Sequence, residues 1–245
     1  MSTTAVRLAL VTGANKGLGF ETSRQLARMG ITVLMASRSN ARGKAAAKTL
    51  RSEGLNAQFI QIDVTKPEQI RKAASEIKRR YGKLDILVNN AGTSVDGAHG
   101  QNSTEIISPK ALRTTFDVNF FGLVELTQKL LPLIKKSGAG RIVNVASILG
   151  SMTIHSSQGG MSYKPFAYDA SKTGVNAFTI HLAAALSGTT VKVNSAHPGW
   201  VNTDMGGPGA PLSPEVGART AVRLATLGVD GPTGKFFHGD DELLW

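Results

Sequence analysis

The chain has 245 residues, enough for one large α/β domain with a sizeable buried core. Its 28 Lys and Arg residues against 17 Asp and Glu residues give a formal net charge of +11, yet no basic run is interleaved with the aromatic residues on which single-stranded nucleic acid would stack. The absence of cysteine excludes disulfides, thiol nucleophiles and zinc–thiolate sites. No apolar run reaches the roughly 18 residues of a membrane span. The sequence therefore predicts a soluble, cytoplasmic protein without nucleic-acid or membrane partners.

Apolar, β-branched runs alternate with amphipathic segments from the N-terminus to about residue 200. The apolar runs predict six strands, Leu8–Val11, Thr32–Met35, Gln58–Ile62, Leu84–Val88, Arg141–Val145 and Val191–Ser195. The amphipathic segments predict five helices, Gly19–Met29, Ala41–Glu53, Pro67–Tyr81, Pro109–Lys136 and Tyr168–Leu186. This alternation predicts one α/β domain over residues 1–245, a doubly wound, Rossmann-type parallel sheet in three α/β/α layers. Ligands of this architecture bind beyond the carboxyl ends of the strands.

The first predicted strand leads into a glycine-rich turn, Thr12–Gly19, and then into a helix. Glycines at such a turn let the backbone approach a pyrophosphate at the N-terminus of the helix, where free N–H groups favour an anion. The spacing Gly-x-x-x-Gly-x-Gly differs from the fingerprint Gly-x-Gly-x-x-Gly, and an ordinary strand–helix turn could also explain it. Its position after the first strand favours dinucleotide binding. The candidate contacts are Gly13, Asn15, Lys16, Gly17, Leu18 and Gly19.

The second predicted strand ends near Ser37 and Arg38, where the adenosine ribose would lie. An acidic residue there would bond the ribose 2′-hydroxyl of NAD, but none occurs from Ser37 to Arg42. The planar guanidinium of Arg38 suits a 2′-phosphate instead, with Arg42 and Lys16 as further candidates. The sequence therefore predicts NADP(H) as the cofactor, with Ser37 and Arg38 as contacts.

The third and fourth predicted strands also end in residues suited to a dinucleotide. Asp63 and Val64 follow the third strand, where the adenine would lie, and Asn90, Ala91 and Gly92 follow the fourth. Taken singly, each of these segments could be a simple turn. Four strand ends that meet at one edge of the sheet together favour a shared dinucleotide site.

The fifth predicted strand ends close to Ser147, and a predicted helix begins at Tyr168 with the sequence Tyr-Asp-Ala-Ser-Lys. The spacing of four places Tyr168 and Lys172 on one helix face, one turn apart. A phenol has an ordinary pKa of about 10, and an adjacent ammonium group lowers that pKa by stabilising the phenolate. The pair predicts an acid–base centre, with the Ser147 hydroxyl as a partner for a substrate oxygen. The spacing alone is common on helices.

These motifs occur in the order found in the short-chain dehydrogenases/reductases, which the chain resembles over essentially its whole length. The resemblance rests on Thr12–Gly19, Asn89-Asn90-Ala91-Gly92, Asn119 within Phe-Asp-Val-Asn, Ser147, Tyr168-x-x-x-Lys172 and Pro198-Gly199. Within the family, the segments Thr12–Gly17 and Pro198–Met205 are most similar to those of NADPH-dependent carbonyl reductases. The resemblance implies an NADP-dependent enzyme that reduces the carbonyl group of a small ketone or aldehyde to an alcohol.

The resemblance also implies roles for the site residues. Tyr168 is the expected general acid, Lys172 tunes it and bonds the nicotinamide ribose, and Ser147 orients the carbonyl. Asn119 is expected to hold a water molecule that connects Lys172 to solvent. The expected contacts on the nicotinamide side are Pro198, Gly199, Val201 and Thr203. No metal is implied, and the five histidines show no ligand spacing.

Two alternative functions stay open at this stage. A protein of this fold could bind NADPH as a regulatory module and turn over nothing, although such a protein need not keep all four catalytic groups. An NAD-linked alcohol dehydrogenase of the same fold is the other alternative, which the Ser37-Arg38 ending disfavours.

Two segments and one helix face carry further predictions. The Gly/Ser-rich segment Ser147–Ser162 is predicted to be a loop over the site, and Pro198–Pro214 is predicted to be a lid that becomes ordered on the cofactor. The family resemblance implies a homodimer or homotetramer, formed through the helices that carry Asn119 and Tyr168. The candidate residues of that outer face are Phe121, Leu126, Phe178 and Leu182.

Overall fold

The computed structural model describes residues 7–96, 104–157 and 165–245, and one eight-stranded sheet runs through its centre. The strands are β1 Leu8–Val11, β2 Thr32–Ser37, β3 Ala57–Gln61, β4 Ile86–Asn89, β5 Arg141–Val145, β6 Lys192–Ala196, β7 Lys235–His238 and β8 Asp241–Glu242. Their order is β3-β2-β1-β4-β5-β6-β7-β8, and only the β7–β8 pair is antiparallel among these strands. The chain reverses its direction of winding between β1 and β4, where a doubly wound sheet opens its binding crevice.

Helices connect the strands and cover both faces of the sheet. The α-helices are α1 Gly17–Arg28, α2 Asn40–Ser52, α3 Pro67–Tyr81, α4 Pro109–Phe116, α5 Gly122–Ile134, α6 Met152–Ser156, α7 Phe166–Ala185 and α8 Pro214–Ala225. A π-helical turn, Asp117–Phe121, joins α4 to α5, and 3-10 turns follow at Lys135–Ser137 and Ile148–Gly150. The sequence predicted the span from α4 to α5 as one regular helix, which the π-helical turn interrupts.

The central strands are buried on both faces, as their continuous apolar runs predicted. Successive side chains point to opposite sides of the sheet. Leu10 and Leu34 pack in the core cluster that contains residues of α3, α5 and α7, whereas Val11 and Val33 pack in the cluster that contains residues of α1, α2 and α8. Two apolar cores on either side of one sheet make the three-layer architecture, so the predicted fold class is confirmed.

Two residues of the predicted outer face lie in the core instead. Leu126 is fully buried and Leu182 is 9% exposed, because both pack in the cluster between the sheet and α3, α5 and α7. The prediction that they lie on an outer face is therefore wrong. Phe178 is half-buried, and Phe121 is 56% exposed. The homodimer or homotetramer itself stays a prediction.

The segment predicted to be a loop from Ser147 to Ser162 contains regular structure. Residues 148–150 form a 3-10 turn, and Met152–Ser156 form α6, whose N-terminus is capped by Ser151 Oγ accepting from the Ile154 N–H at 3.2 Å. The loop prediction is wrong for these residues, and its end, from residue 158, lies outside the described residues. Within the described ranges, no helix is both long enough and apolar enough to cross a membrane.

Candidate active site

The turn between β1 and α1 holds its backbone in conformations that glycine adopts most easily. Gly13 and Gly17 have φ angles of 63° and 53°. A Cβ atom at Gly19 would lie 2.5 Å from the carbonyl oxygen of Gly13 and closer still to the side-chain nitrogen of Asn90. Because α1 begins at Gly17, the N–H groups of its first turn lie in this segment. The result is a side-chain-free cradle at a helix N-terminus, which fits a pyrophosphate.

The end of β4 is attached to this turn through Thr12 and Asn90. Thr12 Oγ1 accepts hydrogen bonds from the N–H groups of Asn90 and Ala91, both at 2.9 Å. Asn90 Nδ2 donates to the Thr12 carbonyl oxygen at 2.8 Å. The Asn90 side chain therefore holds the ends of β1 and β4 together at the predicted dinucleotide crevice.

The end of β2 joins the same turn and carries an accessible cation. Ser37 is buried, and its Oγ donates to Asn15 Oδ1 at 3.2 Å. Arg38, the next residue, is exposed, so its guanidinium is available to a ligand. A nearby cleft is lined by Asn15, Lys16, Phe20, Arg42, Ala45, Ala46 and Thr49. Lys16 and Arg42, two of the cations predicted to meet a 2′-phosphate, thus line one cleft between α1 and α2.

The turn after β3 places Asp63 and Val64 at the carboxyl end of the sheet. Asp63 Oδ1 accepts from the N–H and the hydroxyl of Thr65, at 3.0 and 2.8 Å. Val64 is buried, and a Cβ atom at Gly122 would clash with its carbonyl group. The first turn of α5 therefore packs directly on this segment and fixes its backbone.

Tyr168 and Lys172 lie one turn apart at the start of α7, as predicted. Lys172 Nζ is 5.5 Å from the centroid of the Tyr168 ring, and it donates to the carbonyl oxygen of Val145 at 2.7 Å. The Lys172 side chain is buried, and the loss of hydration lowers its pKa to about 8. At neutral pH it is still mostly an ammonium ion, which is the form that stabilises a phenolate.

Ser147 follows β5 and precedes a 3-10 turn that packs on α7. Its Oγ accepts from the N–H of Leu149 at 3.2 Å, which caps the 3-10 turn Ile148–Gly150. A Cβ atom at Gly150 would lie 2.7 Å from the backbone carbon of Lys172, so this turn packs tightly on α7. Lys172 therefore contacts chain on both sides of Ser147, at Val145 and at Gly150, and the structure brings the predicted serine and lysine together.

Asn119 lies in the π-helical turn and is the residue of that turn whose side chain is buried. It is fully buried, and its Nδ2 donates to the Thr93 carbonyl oxygen at 2.8 Å and to Ser171 Oγ at 3.0 Å. Its Oδ1 accepts from the Thr93 N–H at 2.8 Å. A Cβ atom placed on Gly92 would lie 3.5 Å from Asn119 Oδ1 and 3.7 Å from Lys172 Nζ. The two side chains thus face the same space beside Gly92.

The segment after β6 turns back over the glycine-rich turn. Gly199 follows Pro198 with a φ angle of 81°. The side chain of Val201 is buried, and a Cβ atom at Gly217 of α8 would lie 2.5 Å from its Cγ2 and 3.3 Å from Leu18 Cδ1. The Val201 side chain is therefore enclosed between α1 and α8, which leaves its backbone as the group that can meet a nicotinamide.

Thr203 and Asp204 connect this segment to the start of α1. A Cβ atom at Gly17 would lie 3.2 Å from Thr203 Cγ2. The Lys16 ammonium forms an exposed ion pair with the Asp204 carboxylate. The predicted lid segment therefore lies directly beside the phosphate cradle.

Two residues near the site were not singled out by the sequence. His197 Nδ1 accepts from the Ile148 N–H at 3.3 Å, and burial together with the neighbouring His238 ring lowers the pKa of His197 to about 4. Its position directly before Pro198-Gly199 was the available signal. Asp96 accepts hydrogen bonds from the first turn of α7. Nothing local marks it, because it precedes that helix by about 70 residues.

The comparisons with known proteins decide the family. The short chain dehydrogenase profile matches residues 7–210. The chain belongs to this family. Carbonyl reductase (NADPH) 1 of Mus musculus is 36% identical, with 97% of this chain and 98% of that protein covered, and its Sus scrofa counterpart is also 36% identical, with 98% and 94% covered. The mouse alignment spans 281 positions, more than the 245 residues here, so that protein has residues that this chain lacks.

Solved structures agree with the sequence relatives. The carbonyl reductase Sniffer of D. melanogaster gives a TM-score of 0.85 at 28% identity, and the match covers 98% of this chain and 100% of that one. The NADPH-bound carbonyl reductase from chicken fatty liver gives 0.83 at 25% identity, with 98% and 99% covered. The predicted family resemblance is confirmed.

Proposed function

We propose that this protein is an NADPH-dependent reductase of ketone or aldehyde carbonyl groups, in which Tyr168 is the general acid. The prediction of an NADP-dependent oxidoreductase acting on carbonyls is confirmed at that level by family membership and by NADPH carbonyl reductases at 36% identity over nearly the whole chain. The assignment of the acid is a proposal. The observation that carries it is the position of Tyr168, one helical turn from the buried Lys172 ammonium.

The cradle at the N-terminus of α1 and the cations beside α2 fit the two phosphate groups of NADPH, the central pyrophosphate and the 2′-phosphate of the adenosine ribose. Gly13, Gly17 and Gly19 would contact the pyrophosphate, and Arg38 would pair with the 2′-phosphate. When bound, the cofactor supplies a hydride from its nicotinamide ring to the carbonyl carbon. The work left to the protein is to position the substrate and to deliver one proton.

In this proposal Ser147 positions the substrate and Tyr168 delivers the proton. The Ser147 hydroxyl donates to the substrate oxygen and holds it towards Tyr168, whose phenol transfers its proton to that oxygen as the alcohol forms. The phenolate left behind is stabilised by Lys172, and the burial of the Lys172 ammonium strengthens the Coulombic attraction between the two groups. Asn119 and Lys172 face the space beside Gly92. A water molecule held there by Asn119 would connect Lys172 to solvent, so that the Tyr168 phenolate regains its proton.

NADPH oxidation, followed optically against aryl ketones, ketoesters, aldehydes, quinones and sugars, tests this function. We expect turnover with at least one carbonyl class and saturable NADPH binding. Tight NADPH binding without turnover on any member of the panel would favour the regulatory alternative instead. Turnover with NADH at a kcat/KM equal to that with NADPH would favour the NAD-linked alternative.

A further inference from the structure

The N-terminus of α7, the helix that carries Tyr168 and Lys172, is capped from a distant part of the chain. The residue that precedes the helix is Pro165, which has no side-chain acceptor for the first N–H groups. Asp96 supplies that acceptor: its Oδ1 accepts from the Ala167 N–H at 2.8 Å and its Oδ2 from the Tyr168 N–H at 3.2 Å. One carboxylate thus bridges two successive N–H groups of the helix.

Asp96 is well placed to act on position as well as on stability. It is 3% exposed, and its Oδ2 also accepts from Ser94 Oγ at 3.3 Å. It lies in the segment that follows Asn90 to Gly92, which is the predicted dinucleotide contact at the end of β4. A carboxylate at a helix N-terminus is also favoured by the helix dipole. The carboxylate therefore joins the backbone of the cofactor-binding segment to the backbone of Tyr168 itself.

We infer that Asp96 is a positioning residue for the reaction, which sets the place of the Tyr168 hydroxyl relative to the cofactor by holding the first turn of α7. The inference rests on the proposed role of Tyr168 as general acid. Rate constants for proton transfer depend steeply on the alignment of donor and acceptor, so a small displacement of the first turn lowers kcat. Cofactor affinity is shared among contacts at several strand ends, the glycine turn and Arg38 among them, so we expect it to change much less than kcat.

The test compares Asp96→Ala and Asp96→Asn with the wild-type chain. Asp96→Ala removes both acceptors, and we expect kcat to fall about tenfold or more while KM for NADPH changes less than about twofold. Asp96→Asn keeps one acceptor oxygen, and we expect an intermediate loss of about three- to fivefold. Ser108→Ala is the matched control, since Ser108 Oγ caps α4, which carries none of the proposed catalytic or cofactor-binding residues. It should lower the unfolding temperature and leave kcat unchanged.

A second background separates positioning from general weakening of the fold. In Tyr168→Phe protein no acid is left to position, so Asp96→Ala should lower the residual kcat by less than about twofold. An equal loss in both backgrounds, or a kcat for Asp96→Ala within twofold of wild type, would overturn the inference. Where Asp96→Ala does not fold, Asp96→Asn is judged by the same comparison of backgrounds. Wild-type turnover by Tyr168→Phe alone would instead refute the proposed acid, a result that the Asp96 variants cannot produce.

Discussion

Lys172 is buried at the centre of the site, and its Nζ bonds to the Val145 carbonyl oxygen. Burial lowers its pKa from 10.5 to about 8, because the folded protein disfavours the charged form. Below pH 8 the lysine is protonated in both the folded and the unfolded chain. Between pH 8 and 10.5 the folded chain has lost the proton while the unfolded chain still binds it. Stability therefore gains a contribution as pH rises through this window.

The Lys172→Met variant tests whether the lowered pKa of Lys172 makes stability depend on pH in this way. As pH rises from 8 to 10.5, the free energy of unfolding of the wild type should increase relative to that of Lys172→Met, by at most about 1.4 kcal/mol per pH unit. Urea unfolding at several pH values measures the difference. Lys44→Met, at an exposed position on α2, is the control for the loss of a surface lysine. If the difference in the free energy of unfolding between wild type and Lys172→Met stays constant or decreases from pH 8 to 10.5, the pKa of Lys172 is not lowered by burial.

Arg38 is expected to decide which cofactor is preferred. Its exposed guanidinium is free to meet a 2′-phosphate, and one such charge-assisted interaction of about 1.5–3 kcal/mol corresponds to tenfold or more in kcat/KM. Arg38→Asp should shift the NADPH/NADH ratio of kcat/KM towards NADH by at least that factor. Arg79→Asp, the same charge change on the remote α3, should leave the ratio unchanged. An unchanged ratio in Arg38→Asp would place the phosphate elsewhere.

At the scale of elements, the glycine-rich turn depends on close packing that leaves no room for a side chain. A Cβ atom at Gly19 would overlap the Gly13 carbonyl and the Asn90 amide. We expect Gly19→Ala to cost about 1–3 kcal/mol of stability and to weaken NADPH binding, because the cradle must widen. Gly228→Ala, where a Cβ atom would meet nothing within 4 Å, should do neither. Native NADPH affinity in Gly19→Ala would show that the turn does not hold the cofactor.

Closure of the segment Pro198–Pro214 over the cofactor stays a prediction. The two ends of this segment are joined by backbone hydrogen bonds from Asn202 to Leu212 at 2.8 Å and from Leu212 to Trp200 at 3.2 Å. Trp200 is exposed. Hydrogen exchange with and without NADPH should show increased protection across residues 201–209, since closure would exclude water from the reacting groups. Exchange unaltered by bound cofactor would mean that this segment does not close.

At the scale of the whole molecule, the sheet and the order of the site motifs could be predicted from the sequence because both depend on local patterns. Continuous apolar runs such as Leu8–Val11 mark doubly covered strands, and the spacing of Tyr168 and Lys172 marks one helix face. Helix α8 was missed although Ser213 and Pro214 are a common helix start.

The parts that could not be predicted depend on contacts between distant residues. The π-helical turn in which Asn119 is buried is one such part, because hydrophobic periodicity does not reveal a local change of helix type. The lowered pKa of Lys172 results from enclosure by several elements. Leu126 was predicted to lie on an outer face, but it packs in the core cluster with residues of the sheet and α3. Motif residues can be found from sequence, whereas their orientation and electrostatics come from the assembled fold.

The most direct test of the proposed acid is the turnover of Tyr168→Phe, measured together with NADPH binding. Tyr168→Phe keeps the aromatic ring and removes the acidic hydroxyl, so kcat should fall about 10²-fold or more while the Kd for NADPH changes less than about threefold. Tyr81→Phe is the matched control, because it removes a hydroxyl that bonds Gln58 far from the site. It should leave kcat unchanged. Near-native turnover by Tyr168→Phe, with NADPH bound normally, would contradict the account and assign the proton to another group.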